Sequence, residues 1–451
     1  MKIKFTPSLL SLLILIFIMV FANFNIGRWN GLKVIDWDVV GFYAYLPATF
    51  IYHDYKLKFV KDHPEFAHER KFWPQAAPNG GLVIKPTMGL SFMYLPFFFI
   101  AHFHSQIADL EANGFTILYH KYIHLSALFY LIIGLFFLRK LLIRWFSEWA
   151  TAMSLFSIVL GTNLFYYATT EASMSHAYTF SICAVFLYSI VIWYDLKNVK
   201  IALLAGILFG LMILIRPVNI VFGLFPLFYG MRSLSAYKER FQFLINHSKH
   251  LSIFFASAFI VLLPQFLYWK SVTGHFLFYS YLDEHFYFLK PKLLQGLFSF
   301  RNGWLIYSPI MLFSMVGLYF IKSKHSDLLN PIRILFPFYI YLVFSWWCWW
   351  YVGFGNRAMI DSYAILAISL ATCYEQLLVS KSFIKYTALV LLVFLIGLNA
   401  FQTLQYRNGL LHFDGMNFKA YKASFGTLKY NDTYKNALLS PDYEKAKKGE
   451  E

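Results

Sequence analysis

The sequence predicts an all-α integral membrane protein that crosses the bilayer many times. Three observations predict it. Of 451 residues, 59% are hydrophobic and only 14% charged, whereas soluble domains run about 45–50% apolar and about 25% charged. Mean hydropathy is +0.54, and 51 Phe with 32 Tyr exceed what one soluble core can enclose. Apolar runs close to the roughly 20 residues needed per span recur along most of the chain. An ordinary cytosolic enzyme is excluded.

The elements follow in order. Residues 8–24 (SLLSLLILIFIMVFANF) form the first run, preceded by Lys2 and Lys4. With further spans following and no small-x-small cleavage site, it is read as an uncleaved span whose N-terminus lies inside. Residues 25–86 are much more polar, hold Asp36, Asp38, Asp54, Asp62, Glu65 and Glu69, and by alternation form a large first outer loop. Further apolar runs fall near 87–103, 117–138, 149–168, 176–194, 201–215, 217–230, 251–269, 303–321, 331–350, 361–379 and 384–404.

The positive-inside rule orients them. Basic clusters occur at Arg139–Lys140–Arg144, Lys197–Lys200, Arg232–Lys249, Lys322–Lys324 and Lys381–Lys385. All fall inside when 87–103, which holds Pro96 and ends in His102 and His104, is a short re-entrant or interfacial hairpin. The chain then makes about 11 crossings. A full span at 87–103 leaves one cluster on the wrong side. The chain divides into a membrane domain, 1–404, and a short polar tail, 405–451, whose end (EKAKKGEE) is expected to be disordered.

The formal charge is +16, from 39 Lys+Arg against 23 Asp+Glu. In a membrane protein this excess belongs to cytoplasmic loops and anionic headgroups, and no stacked basic and aromatic pattern suggests nucleic acid. Cys183, Cys348 and Cys373 lie in or beside apolar runs without metal-ligand spacing. The inner loops carry no nucleotide-binding glycine motif, which argues against an ATP-driven pump.

The chemistry-bearing residues gather on the outer side. Asp36-Trp37-Asp38 follows the first span by about a dozen residues. An acid pair there can bind a divalent cation such as magnesium or manganese, or supply a general base. It can equally be a helix cap beside an interfacial Trp. Lys85, after Asn79-Gly80-Gly81, can meet a ligand or snorkel to lipid phosphate. Glu171 and His176 flank a junction between apolar runs, where ionisable groups are costly and therefore functional candidates.

Arg216 precedes Pro217, which breaks the helix and leaves the guanidinium at an interrupted apex. Such a group can grip a phosphate through two hydrogen bonds. Arg301-Asn302-Gly303 opens another run from the same side. Residues 345–363 (SWWCWWYVGFGNRAMIDSY) hold four Trp within five positions, Trp347 among them, a turn at Gly353 and Gly355, and Arg357 and Asp361. These last two are four apart, so they can pair on one helix face.

Taken together, these motifs resemble the polytopic GT-C glycosyltransferases, the superfamily of the lipid A aminoarabinose transferases and protein mannosyltransferases. The resemblance rests on Asp38 with Gly41-Phe42-Tyr43-Ala44-Tyr45-Leu46-Pro47, and on Lys85-Pro86…Gly89…Pro96-Phe97. It continues through Glu171…Ser175-His176-Ala177, Arg216-Pro217, Arg301-x-Gly303…Ser308-Pro309 and Trp346-Trp347…Gly353-x-Gly355-x-Arg357…Asp361. It spans roughly residues 1–405 and lies in the order of loose motifs.

The resemblance implies a GT-C-like helical bundle and an enzyme on the periplasmic face of a bacterial inner membrane. It would take a sugar from a polyprenyl-phosphate donor to a glycan, lipid or protein acceptor. Asp38 falls on the family's catalytic acidic position with Asp36 beside it, and Lys85, Glu171, His176, Arg216, Arg301, Trp347, Arg357 and Asp361 are the substrate-binding candidates. Metal use differs among relatives. The rival reading is a secondary transporter or lipid flippase, which would place its charges near mid-span and open alternately to either side.

Overall fold

The computed structural model describes residues 5–63, 69, 71–232, 236–321 and 325–451. Lys2, Lys4, Glu65 and the Lys322–Lys324 cluster lie outside these. The labelled helices are α1 (Pro7–Ile26), α2 (Asp38–Tyr43), α3 (Gly89–Ile107), α4 (Ile117–Leu142), α5 (Glu148–Leu160), α6 (Ser175–Leu196), α7 (Val199–Ile215), α8 (Ser248–Thr273), α9 (Ser326–Phe344), α10 (Tyr363–Leu378), α11 (Ser382–Arg407) and α12 (Tyr443–Lys447). The only named strands among the described residues are Gln75–Ala76 and Leu82–Val83, which pair antiparallel in the first loop.

Local signals set the helix limits. Pro7 starts α1, where its missing N–H costs nothing, and Gly27 ends it at φ 52° with its N–H on the Asn23 carbonyl. The Ser147 side chain caps α5. Pro217 stops α7, and the residue before it, Arg216, is forced to extended backbone at φ −147°, ψ 111°.

Among the described residues six helices are long and apolar enough to cross a membrane, so the chain is an integral membrane protein. They differ in position. In α6, 78% of the apolar window is buried, against 28% in α8 and α11, so α6 is central and the others peripheral. Exposed Phe17, Phe21, Phe255, Val390 and Val393 give the outer helices faces suited to hydrocarbon. Two glycines a turn apart bring α7 against α8. A Cβ on Gly206 would strike the Phe254 carbonyl, and one on Gly210 would lie 2.6 Å from that of Ala258. This is the close backbone approach that small residues allow between membrane helices.

The helices present two polar ends. At one, Arg139 donates from Nε to the Ser8 hydroxyl at 2.8 Å, Glu148 accepts the Ser8 N–H at 3.1 Å, Glu375 accepts the Ser147 N–H at 2.9 Å, and Arg144 pairs with Asp195. The basic clusters near 139 and 197 lie at this end. At the other end stand α2, the start of α6, the end of α7 and the start of α10.

Several expected spans are shorter or broken. Residues 217–230 form a 3-10 turn, Pro217–Gly223, and a short helix, Leu224–Phe228, which lead from the end of α7 towards the opposite polar end, where the Pro226 carbonyl accepts from Tyr194 at 2.7 Å. The 303–321 run is broken at Ser308-Pro309 and ends in a π-helical turn, Val316–Phe320, and 149–168 stops at Gly161. The 87–103 segment is not a hairpin. It lies in the unbroken helix α3, which carries Pro96 within it. The Met93 carbonyl accepts from Tyr130 in mid-α4 at 3.1 Å, while His102 reaches Tyr119 in the first turn of α4 at 2.6 Å. The end of α3 thus lies beside the start of α4, where His120 accepts the Val34 and Ile35 N–H groups.

The tail also departs from expectation. Its last part is ordered as α12 and packs Tyr443 against Trp347 and Trp350, with ring centroids 6.1 and 5.9 Å away.

Candidate functional site

Asp38 is the first residue of α2. The residue before it, Trp37, holds φ 54°, ψ −128° and offers no side-chain cap. A non-glycine residue at positive φ is strained, and here it aims the next carboxylate. Asp38 Oδ2 accepts from Arg357 Nη2 at 2.9 Å. The Asp38 side chain is 56% exposed and that of Arg357 18%.

Arg357 is delivered by the turn before it. Gly353 sits at φ 141° and Gly355 at φ 61°, conformations L side chains rarely adopt. A Cβ on Gly353 would collide with the Tyr167 hydroxyl, which instead accepts the Phe354 N–H at 2.9 Å. Arg357–Ser362 is a 3-10 helix with three residues per turn. Positions four apart therefore do not share a face, and Arg357 does not pair with Asp361. The two point to different partners.

Asp361 is fully buried. Its Oδ2 accepts from Arg216 Nη1 at 2.8 Å, and its Oδ1 lies 3.4 Å from His176 Nδ1. Among the described residues His176 Nε2 is buried with no hydrogen-bond partner. The Arg216 guanidinium also lies 5.7 Å from the Tyr351 ring. Lys85 pairs with Glu284, and its Nζ is 5.2 Å from the Tyr281 ring. Glu171 accepts from the Tyr166 hydroxyl at 3.1 Å and acts electrostatically on Arg357. Tyr281 joins the groups: burial, then the field of Asp38, push its phenol well above its ordinary pKa, and Arg216 and Glu284 also act on it.

The structure thus brings Asp38, Lys85, Glu171, His176, Arg216, Arg357 and Asp361 to one end of the bundle, from five separate segments. It adds Glu284 and Tyr281, for which the acid pair Asp283-Glu284 in the outer 270–302 stretch was the available signal. No family model, curated protein or solved structure matches the chain. Its chemistry must be argued from this geometry.

Two further candidates contact the tail. Arg301 donates to the Leu439 carbonyl at 3.1 Å, pairs with Glu451 at 2.7 Å and lies 5.5 Å from the Trp350 ring. It holds the tail. Trp347 packs in the same second cluster with Trp349, Trp350, Cys348 and Ala446. Asp36 is half-buried and its carbonyl accepts the Val39 N–H at 3.1 Å. Among the described residues, no three His, Cys, Asp or Glu side chains are grouped to hold a metal ion. A cation at the acid pair would also have to displace Arg357 from Asp38.

Proposed function

We propose that this chain is an inverting glycosyltransferase of the GT-C type, moving a sugar from a polyprenyl-phosphate donor to a glycan, lipid or protein acceptor. In this reading residues 1–404 form the catalytic bundle, with about 11 crossings, and the site faces the periplasm from a bacterial inner membrane. One observation carries it: an accessible carboxylate, Asp38, stands directly against a largely enclosed cation, Arg357, with Arg216 and Lys85 nearby at the same end. That is the pairing an inverting displacement needs. Asp38 accepts the proton of the acceptor hydroxyl as the bond to the anomeric carbon forms. The lipid phosphate leaves from the opposite face, and guanidinium groups neutralise its growing charge.

A transporter or flippase would want ionisable groups near mid-span and access from both sides. Here the charges described lie at two ends, and at one of them the exposed acid Asp38 stands against a largely enclosed guanidinium.

The test is transfer from a polyprenyl-phosphate sugar by purified protein in nanodiscs. Wild type should transfer, and Asp38→Asn should lose about 10²–10⁴-fold in rate. Full activity in Asp38→Asn removes this residue from the mechanism. Absence of transfer with any lipid-linked sugar favours the transporter.

A further inference from the structure

Each of the three cations brought together in this cluster is already held by a carboxylate. Arg357 rests on Asp38 at 2.9 Å, Arg216 on Asp361 at 2.8 Å, and Lys85 on Glu284. Glu171 adds a fourth negative charge that acts on Arg357. Within this cluster three cations face four carboxylates, with Lys71 lying outside it, 5.6 Å from the Trp37 ring. A phosphate that uses Arg357, Arg216 or Lys85 must take the cation from its present partner.

The three pairs do not open equally. Asp361 is fully buried and shared by Arg216 and His176, so parting it from Arg216 would leave an uncompensated charge in the interior. Lys85 is held from two sides, by Glu284 and by the face of Tyr281. Asp38 differs. It is more than half exposed, so water solvates it once released. It stands at the start of a six-residue helix after a strained residue, whereas Arg357 is largely enclosed and stays in place. A guanidinium also exchanges a carboxylate for a phosphate without losing two-point hydrogen bonding.

We infer that the Asp38–Arg357 ion pair is a latch, opened when the donor phosphate takes Arg357 and so frees Asp38 to receive the acceptor hydroxyl. The inference rests on the proposed function and adds an order to it. Until the donor is seated, Asp38 Oδ2 is committed to the guanidinium, so productive acceptor binding follows donor binding. Linkage requires the reverse as well: whatever removes the carboxylate from Arg357 strengthens the phosphate.

The experiment measures binding of a short-chain polyprenyl monophosphate to the full chain in nanodiscs. Wild type, Asp38→Asn, Arg357→Gln and the double variant are compared, with thermal midpoints recorded alongside. Asp38→Asn should bind the lipid phosphate about five- to tenfold more tightly than wild type, although it is defective in transfer. Arg357→Gln should bind more weakly than wild type, and the double variant should match Arg357→Gln, because the gain acts through Arg357. Equal or weaker binding by a folded Asp38→Asn overturns the latch and leaves the transferase reading standing on wild-type transfer. A gain that persists in the double variant also overturns it, since Arg357 is then not the group released. If no variant and no wild type binds the lipid phosphate, both readings fall.

Discussion

At the scale of single residues, the two aspartates of the site ask for opposite treatment. Asp361 is fully buried between Arg216 and His176, so Asp361→Asn leaves a guanidinium without its counter-charge. Breaking a buried pair in this way costs about 3–5 kcal/mol. A large fall in thermal midpoint and in folded yield is expected, before any effect on turnover is considered. Asp38→Asn, at an exposed position, should leave the midpoint close to wild type. Comparable losses in both would mean that Asp38 also supports the fold. The candidate residues were legible because each is a charge or a glycine turn set in apolar sequence, where its presence needs a reason. Their partners were not. Asp38 and Arg357 are 319 positions apart, and no periodicity reports on such a pair. The reading that Arg357 pairs with Asp361 failed on helix type: spacing of four unites a face only when the turn is α-helical.

At the scale of elements, long uniform apolar runs became α1, α4, α6, α8 and α11 with limits close to those read from the sequence. Runs interrupted by Pro217 or by Ser308-Pro309 became broken passages and not single helices, although Pro96, Pro264 and Pro337 lie inside continuous helices, so proline alone does not set the break. The tail misled through composition: its charges suggest solvation, yet several near its end are matched. Lys447 pairs with Asp283 at 3.0 Å and Arg301 with Glu451 at 2.7 Å, and the Tyr443 hydroxyl donates to Asp414 at 2.6 Å. Burial alone would raise the Asp414 pKa, but hydrogen bonds from His412 and Tyr443 outweigh it and hold the carboxyl below its ordinary value. A depressed carboxyl contributes stability above its unfolded pKa, about 3.9, and loses it as pH falls through the folded value. The tail should therefore stay docked through neutral and mildly acidic conditions and weaken below about pH 4. Tryptophan emission from the 347–350 cluster should shift to the red there. A shift complete by pH 6 would show that another group governs docking.

At the scale of the whole molecule, the two polar ends make topology testable. Cys183, Cys348 and Cys373 are all buried, so introduced cysteines can be read against a low background. Lys61, Lys238 and Lys419 are exposed. Cysteines at 61 and 419 should label from one side of the membrane and at 238 from the other, because the first loop and the tail share the end that holds Asp38. Ile107, 83% exposed at the end of α3, decides the remaining question. Labelling from the same side as 61 means that α3 makes no net crossing, and labelling with 238 means that it spans.

The separation of Asp38 from Arg357 is also an interval of time. A ribosome adds about 5–20 residues per second, so the acid of the first loop waits on the order of 15–60 seconds for the arginine that will hold it. Through that wait the first loop rests on earlier arrivals, such as the Tyr43 hydroxyl on the Gly114 carbonyl and Ser91 on Phe42. Most of the long apolar helices are already made. A nascent chain halted before residue 345 would thus carry most of its bundle and no assembled site, and biogenesis would deliver the Asp38–Arg357 pairing among its last steps.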